Sequence, residues 1–177
     1  MIRVKNILVV VDMQNDFIDG ALGTPEAVKI VPKVSELIST FDGDIYFTLD
    51  THREDYLSTL EGKNLPVPHC IKGTDGHKLC DALTGFADKA RAIIEKPTFG
   101  STELLEILIK ENATEKIDSV TFVGLCTDIC VISNALLAKA ALLDAEIKVV
   151  ASACAGVTPE SHANALSAMR MCQIIVE

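Results

Sequence analysis

No tryptophan occurs among the 177 residues, so no indole is available to wall a slot for a flat ligand. No apolar run is long enough to span a bilayer, and Met1 to Asn6 lead straight into a strand rather than a secretory signal. Basic charge is in the minority. Lys and Arg number 16 against 25 Asp and Glu, a formal net charge of -9, which repels nucleic acid and acidic membranes. Cys-x-x-Cys pairs of the zinc-binding kind are missing. The six cysteines (Cys70, Cys80, Cys126, Cys130, Cys154, Cys172) are scattered and read as free thiols of a reducing compartment. These absences predict a cytoplasmic chain with neither nucleic acid nor membrane as a partner. What is present is ordinary for a globular protein: 49% hydrophobic and 23% charged residues, enough to build one core. Without repeat or linker, residues 1–177 read as a single domain.

Apolar runs alternate with helical patterns along the chain. Asn6 to Val11 is a strand whose run Ile7 to Val11 is continuously apolar, the mark of a parallel strand buried on both faces, and it ends in Asp12. Residues 13–23 read as a loop, 32–41 as a helix opened by a proline, and 44–49 as a strand ending in Asp50. Residues 51–74 lack a period, and a loop of that length in a small domain is usually functional. A short helix is expected at 76–83, a strand at 92–95 before Lys96, and a helix at 101–112. Then come a strand at 119–123, a helix at 128–143, a strand at 147–151, a helix at 159–171 and a strand at 172–176. The alternation predicts an α/β fold: a three-layer α/β/α sandwich around a six-stranded, mainly parallel, Rossmann-like sheet. Asp12, Asp50, Lys96 and the Gly124 turn each follow a strand. The carboxyl ends of parallel strands share one edge, where ligands bind.

Three sets of residues on that edge carry chemistry. Gly124 to Val131 turns a strand into a helix that Thr127 or Asp128 can cap. Cys130 falls in the first helical turn, where free N–H groups and the helix dipole favour a thiolate. Asp12 can take its proton, and Lys96 can hold both anions and lower the thiol pKa. Singly, each has a plain explanation: a turn cap, a solvated charge, a small buried residue. Asp50-x-His52 puts two donors on one side of an extended segment, and His69 can close an N/O site for Zn, Mn or Fe. A solvated loop explains the pair equally well. Phe17 and Phe99 follow Asp12 and Lys96 closely and can wall a flat substrate, or fill core. Cys126 reads as a small lining residue or half of a redox pair, and His77 and His162 as surface residues.

Val11-Asp12-Met13-Gln14-Asn15-Asp16-Phe17, Asp50-Thr51-His52, Pro68-His69-Cys70-Ile71-Lys72-Gly73-Thr74, Lys96-Pro97 and Gly124 to Val131 form an ordered series. In that series the chain resembles the isochorismatase-like cysteine hydrolases, and within them the nicotinamidase-like amidases. The resemblance implies the isochorismatase-like hydrolase fold and a Cys130 nucleophile, with Asp12 as base and Lys96 as third member. It implies a cis peptide before Cys126, with the backbone N–H groups of Cys126 and Cys130 as oxyanion hole. It further implies a divalent metal ion on Asp50, His52 and His69, a small-molecule amide substrate with nicotinamide first, and a homo-oligomer. Two departures stand out. Such amidases often carry a further histidine ligand where this chain has Tyr56 and Ser58, which leaves Glu61 or water for the role. They also commonly place a tryptophan just before the residue equivalent to His69, where this chain has Asn64-Leu65-Pro66-Val67. The rival readings are a family hydrolase of a carbamoyl compound or another small amide, and a noncatalytic binding or redox protein on the same fold.

Overall fold

The apolar runs become the strands of one sheet. A computed structural model describes residues 4–177. In chain order the elements are β1 (Asn6–Val11), α1 (Asn15–Ile18), α2 (Pro25–Thr40), β2 (Asp44–Asp50), α3 (Leu60–Asn64), α4 (Asp81–Thr84), β3 (Ala92–Lys96), α5 (Thr102–Thr114), β4 (Ser119–Leu125), α6 (Ile132–Ala141), β5 (Glu146–Ala155), α7 (Pro159–Met171) and β6 (Ile175–Val176). The six strands are ordered β3-β2-β1-β4-β5-β6, and every pairing is parallel. β1 is central, which explains its unbroken apolarity. Ile7, Val9 and Val11 point into one core with Leu104, Leu108, Ala135, Ala138 and Met169 of α5, α6 and α7. Leu8 and Val10 point into the other, with Phe17, Ile30, Val34, Ile38 and Leu83 of α1, α2 and α4. Helices therefore cover both faces, as a parallel sheet requires. Among the described residues, no helix is long and apolar enough to cross a membrane.

Several boundaries differ from the sequence reading. α2 starts at Pro25, not Pro32, because the Thr24 hydroxyl accepts from Ala27 N–H at 3.0 Å and caps the helix there. Pro32 removes one helical N–H, yet burial of Ala27, Ile30, Val34 and Ile38 along one face carries the helix through it. The expected loop at 13–23 contains α1, and 51–74 contains a 3₁₀ turn (Tyr56–Ser58) and α3. The helix expected at 76–83 shrinks to α4, and β5 continues to Ala155. The last strand is only β6, since Gln173 adopts a left-handed φ of 62° that interrupts it.

The sheet register then sets the site. Val11 pairs with Thr48 on one side and Gly124 on the other, and Asp50 pairs with Lys96. Gly124 has a φ of +113°, and a Cβ there would lie 2.1 Å from Val11 O. Only glycine fits where the central pair of strands approaches so closely.

Candidate active site

Asp12 leaves β1 with a φ of 47°, a left-handed conformation uncommon outside glycine. β2 holds it there. Asp12 N–H donates to Thr48 O at 3.1 Å, and Thr48 Oγ1 donates to Asp12 Oδ1 at 2.7 Å. Lys96 ends β3, buried, with Nζ 2.6 Å from Asp12 Oδ2 and 3.4 Å from Cys130 Sγ. The same ammonium donates to Thr98 O at 3.0 Å and lies 3.4 Å from Asp50 Oδ1. Burial would discharge Lys96, but Asp12, Cys130 and Asp50 hold its pKa above the ordinary lysine value, so it stays charged. Asp12 Oδ2 takes no hydrogen bond of regular geometry; the ammonium beside it is its partner by charge.

The turn that carries Cys130 corrects one expectation: neither Thr127 nor Asp128 caps it. Thr127 to Val131 form a π-helical turn before α6, and its N-cap is Cys126 without any side-chain cap. Ile129 and Val131 N–H groups both donate to Cys126 O, at 3.1 and 3.0 Å. Thr127 instead pairs with His162 Nδ1 at 2.7 Å, and Asp128 accepts from Val157 N–H at 3.2 Å, tying the turn to the start of α7. Burial first, then the negative charge of Asp12, push the Cys130 thiol well above its ordinary pKa, and Lys96 only partly offsets them. Burial and Asp12 thus oppose the thiolate that a helix start favours, and Lys96 supports it. Burial also raises the Asp12 pKa against the pull of Lys96. The Leu125–Cys126 peptide bond is cis.

A second cluster shares Asp50. One ligand atom each from Asp50, His52, Glu61 and His69 lie within 4.8 Å of one another. His52 Nε2 is 3.0 Å from Asp50 Oδ2 and 3.5 Å from Glu61 Oε1; His69 Nε2 is 3.4 and 3.9 Å from the same atoms. His69 Nδ1–H donates to Val67 O at 2.8 Å, which leaves the Nε2 lone pair facing the cluster. Burial raises the Asp50 pKa, but the imidazoles of His52 and His69 and the charge of Lys96 outweigh it and hold the carboxyl well below the usual range. The donors therefore suit a divalent cation: two imidazole nitrogens and two carboxylates around one point. Glu61 completes the set from α3, while Tyr56 walls it. The Tyr56 ring centroid lies 4.7 and 5.0 Å from those of His52 and His69, and its hydroxyl donates to Leu65 O at 2.9 Å.

Gln14 escaped the sequence reading. Its buried amide accepts from Asp50 N–H at 2.7 Å and donates to Asp50 O at 2.8 Å and His77 O at 2.9 Å, clamping the backbone of a ligand residue. The available signal was a long polar side chain two residues after Asp12, beside a fully apolar strand. His77 is buried rather than on the surface, with Nε2 2.9 Å from Thr51 Oγ1, and His162 is half-buried.

Phe17 and Phe99 both line a cavity of about 240 Å³ together with Leu65, His69, Cys126 and Cys130. Phe17, 8% exposed, is an inner wall with its ring 5.5 Å from His69, whereas Phe99, 42% exposed, forms the rim. A small molecule in this cavity meets the Cys130 thiol together with Asp50, Glu61 and His69 of the cluster.

Residues 6–177 match the isochorismatase domain family. A nicotinamidase of Acinetobacter baylyi is 32% identical over 170 residues, spanning 79% of this chain and 77% of that protein. Among solved structures, a pyrazinamidase of Pyrococcus horikoshii in complex with zinc has a TM-score of 0.79 at 32% identity, covering 98% of each chain. An N-carbamoylsarcosine amidase from Thermoplasma acidophilum has a TM-score of 0.79 at 30% identity, covering 98% of this chain and 96% of that one.

Proposed function

The chain belongs to the isochorismatase family and is a hydrolase of amide carbon–nitrogen bonds, and we propose that its substrate is a small ring amide, nicotinamide first, cleaved through Cys130, Asp12 and Lys96. The observation that carries this reading is the Lys96 ammonium lying 2.6 Å from Asp12 Oδ2 and 3.4 Å from Cys130 Sγ beside the cavity.

Asp12 and Cys130 flank the same ammonium, and Asp12 acts as general base toward the thiol. As Cys130 Sγ bonds to the carbonyl carbon, its proton passes to Asp12. The oxyanion rests on the backbone N–H groups of Cys126 and Cys130. Asp12 then gives the proton to the departing nitrogen, the carbon–nitrogen bond breaks, and ammonia leaves a thioester on Cys130. Water attacks the thioester as Asp12 takes its proton, the carbon–sulfur bond breaks to release the acid, and Asp12 returns the proton to the Cys130 sulfur, restoring the thiol. Lys96 stays protonated throughout and stabilises negative charge on sulfur and on Asp12.

Asp50, His52, Glu61 and His69 would hold a divalent metal, with Zn, Mn and Fe all suited to this donor set. When bound, the ion supplies an electrophile for a ring nitrogen. Phe17 grips one face of the ring. Leu65 and Phe99, 38% and 42% exposed, grip the other side more weakly than an indole would, so binding is loose. An N-carbamoyl compound is the second reading, favoured by this open wall and by the likeness to the carbamoylsarcosine amidase.

Ammonia release by metal-loaded enzyme tests both readings across nicotinamide, pyrazinamide, an aliphatic amide and N-carbamoylsarcosine. We expect both ring amides to turn over with high KM, Cys130→Ala to be inactive, and Cys126→Ala to keep most activity, since alanine retains the backbone N–H. Cys126→Ala as inactive as Cys130→Ala would mean the nucleophile is misassigned. Turnover of the carbamoyl compound alone would replace nicotinamide with the second reading.

A further inference from the structure

Asn134 lies in the first turn of α6 and is 2% exposed. A buried amide has to satisfy its donors and acceptor, and here all are spent on joining two segments. Nδ2 donates to Cys130 O at 2.8 Å and to Phe99 O at 3.1 Å, while Oδ1 accepts from Ser101 N–H at 2.9 Å.

The two segments are the ones that carry the chemistry. On one side is the π-helical turn that presents Cys130, a geometry that an isolated α-helix does not hold by itself. Two side chains of α6 reach back to its carbonyls: Ser133 Oγ donates to Ile129 O at 2.6 Å, and Asn134 takes that of Cys130. Ser133 stops there. Asn134 continues across to the link between β3 and α5. That link also carries Thr98, whose carbonyl anchors the Lys96 ammonium, and Phe99, the rim of the cavity. One amide thus sets the nucleophile turn against the segment that anchors the lysine and forms the wall.

We propose that Asn134 is a positioning residue that fixes Cys130 relative to Lys96 and Phe99. The proposal rests on Cys130 being the nucleophile, and it does not depend on which amide is the substrate. A misplacement on the order of an ångström at a reacting atom can cost about a hundredfold in rate, so a bridge of this kind has a large lever.

Three variants of the full-length, metal-loaded enzyme test it by kcat, KM and the rate at which iodoacetamide labels Cys130. Asn134→Leu keeps the volume and removes the bridge. Its kcat should fall roughly a hundredfold and Cys130 labelling should slow with it. Asn134→Ser keeps a hydroxyl that can donate back to Cys130 O, as serines in helices do, but cannot reach Phe99 O or Ser101 N–H. With the bridge gone, its kcat should stay nearly as far below wild type as that of Asn134→Leu, and KM for the ring amide should rise about tenfold. Ser133→Ala removes a back-bond of the same kind without a bridge and should leave kcat, KM and labelling near wild type. Wild-type kcat, KM and labelling in both Asn134 variants would overturn the proposal. If Asn134→Leu does not fold, a wild-type KM in Asn134→Ser overturns it alone. A wild type that labels at Cys130 yet turns over no ring amide would sink the substrate reading and leave labelling to decide this one.

Discussion

At Lys96 a buried cation faces three groups that are or can become anions. Its ammonium lies 2.6 Å from Asp12, 3.4 Å from Asp50 and 3.4 Å from Cys130. Burial and the two carboxylates push the thiol pKa up, and Lys96 is the counterweight that pulls it down. Removing the cation therefore raises the thiol pKa further, so less thiolate is present at any fixed neutral pH. Lys96→Met keeps the apolar stem and deletes the charge. We expect Cys130 in this variant to react with iodoacetamide at neutral pH at least about tenfold more slowly, one pKa unit of lost thiolate. Stability should fall by about 3–5 kcal/mol, since two carboxylates lose their buried partner. Unchanged labelling kinetics would remove Lys96 from the site.

At the level of elements, the contact between β1 and β4 delivers both halves of the candidate site. β1 ends at Asp12, β4 ends at the turn to Cys130, and Gly124 lets the two backbones touch. A Cβ at Gly124 would sit 2.1 Å from Val11 O, and φ is +113°. Gly124→Ala should cost about 2–4 kcal/mol, read as a lower urea midpoint. Gly85 is the control. It ends α4 with φ at -65°, nothing lies within 4 Å of where its Cβ would be, and Gly85→Ala should stay within about 0.5 kcal/mol of wild type. Equal midpoints for the two variants would show that the strand contact yields easily.

Across the whole molecule, the four-donor cluster draws in the long segment between β2 and β3. Asp50 belongs to the sheet, Glu61 to α3, and His52 and His69 to the intervening coil. An ion there would tie that segment to the sheet. At a free-metal level a hundredfold above Kd, binding adds about 2.7 kcal/mol of stability. For a chain of this size that is a rise in Tm of about 5–10 °C. EDTA should therefore lower Tm by that amount in wild type and leave His52→Ala unmoved, and elemental analysis should find about one divalent ion per wild-type chain only. A wild-type Tm indifferent to EDTA, with equal metal in both proteins, would exclude the cluster as a metal site.

The sequence by itself determined the sheet and the edge where the candidate residues gather. A strand buried on both faces must be apolar along its length, so the run Ile7 to Val11 after Asn6 is legible without a structure. A polar residue that ends such a run must lie at the carboxyl edge, which brought Asp12, Asp50 and Lys96 to one place on paper. The Thr24-Pro25 start of α2 was equally local but was overridden by Pro32, because only tertiary burial shows that a helix continues through a proline. The tertiary structure alone decided the partners. Thr48 reaches Asp12, and Gln14 reaches Asp50, across 36 residues, and no local pattern records such a distance. Glu61 joins His52 and His69 only once α3 has folded over them. The forces on the Cys130 thiol were also out of reach. A helix start and a nearby lysine favour a thiolate, whereas the depth of burial and the charge of Asp12 push the pKa up, and both of these are properties of the packed chain.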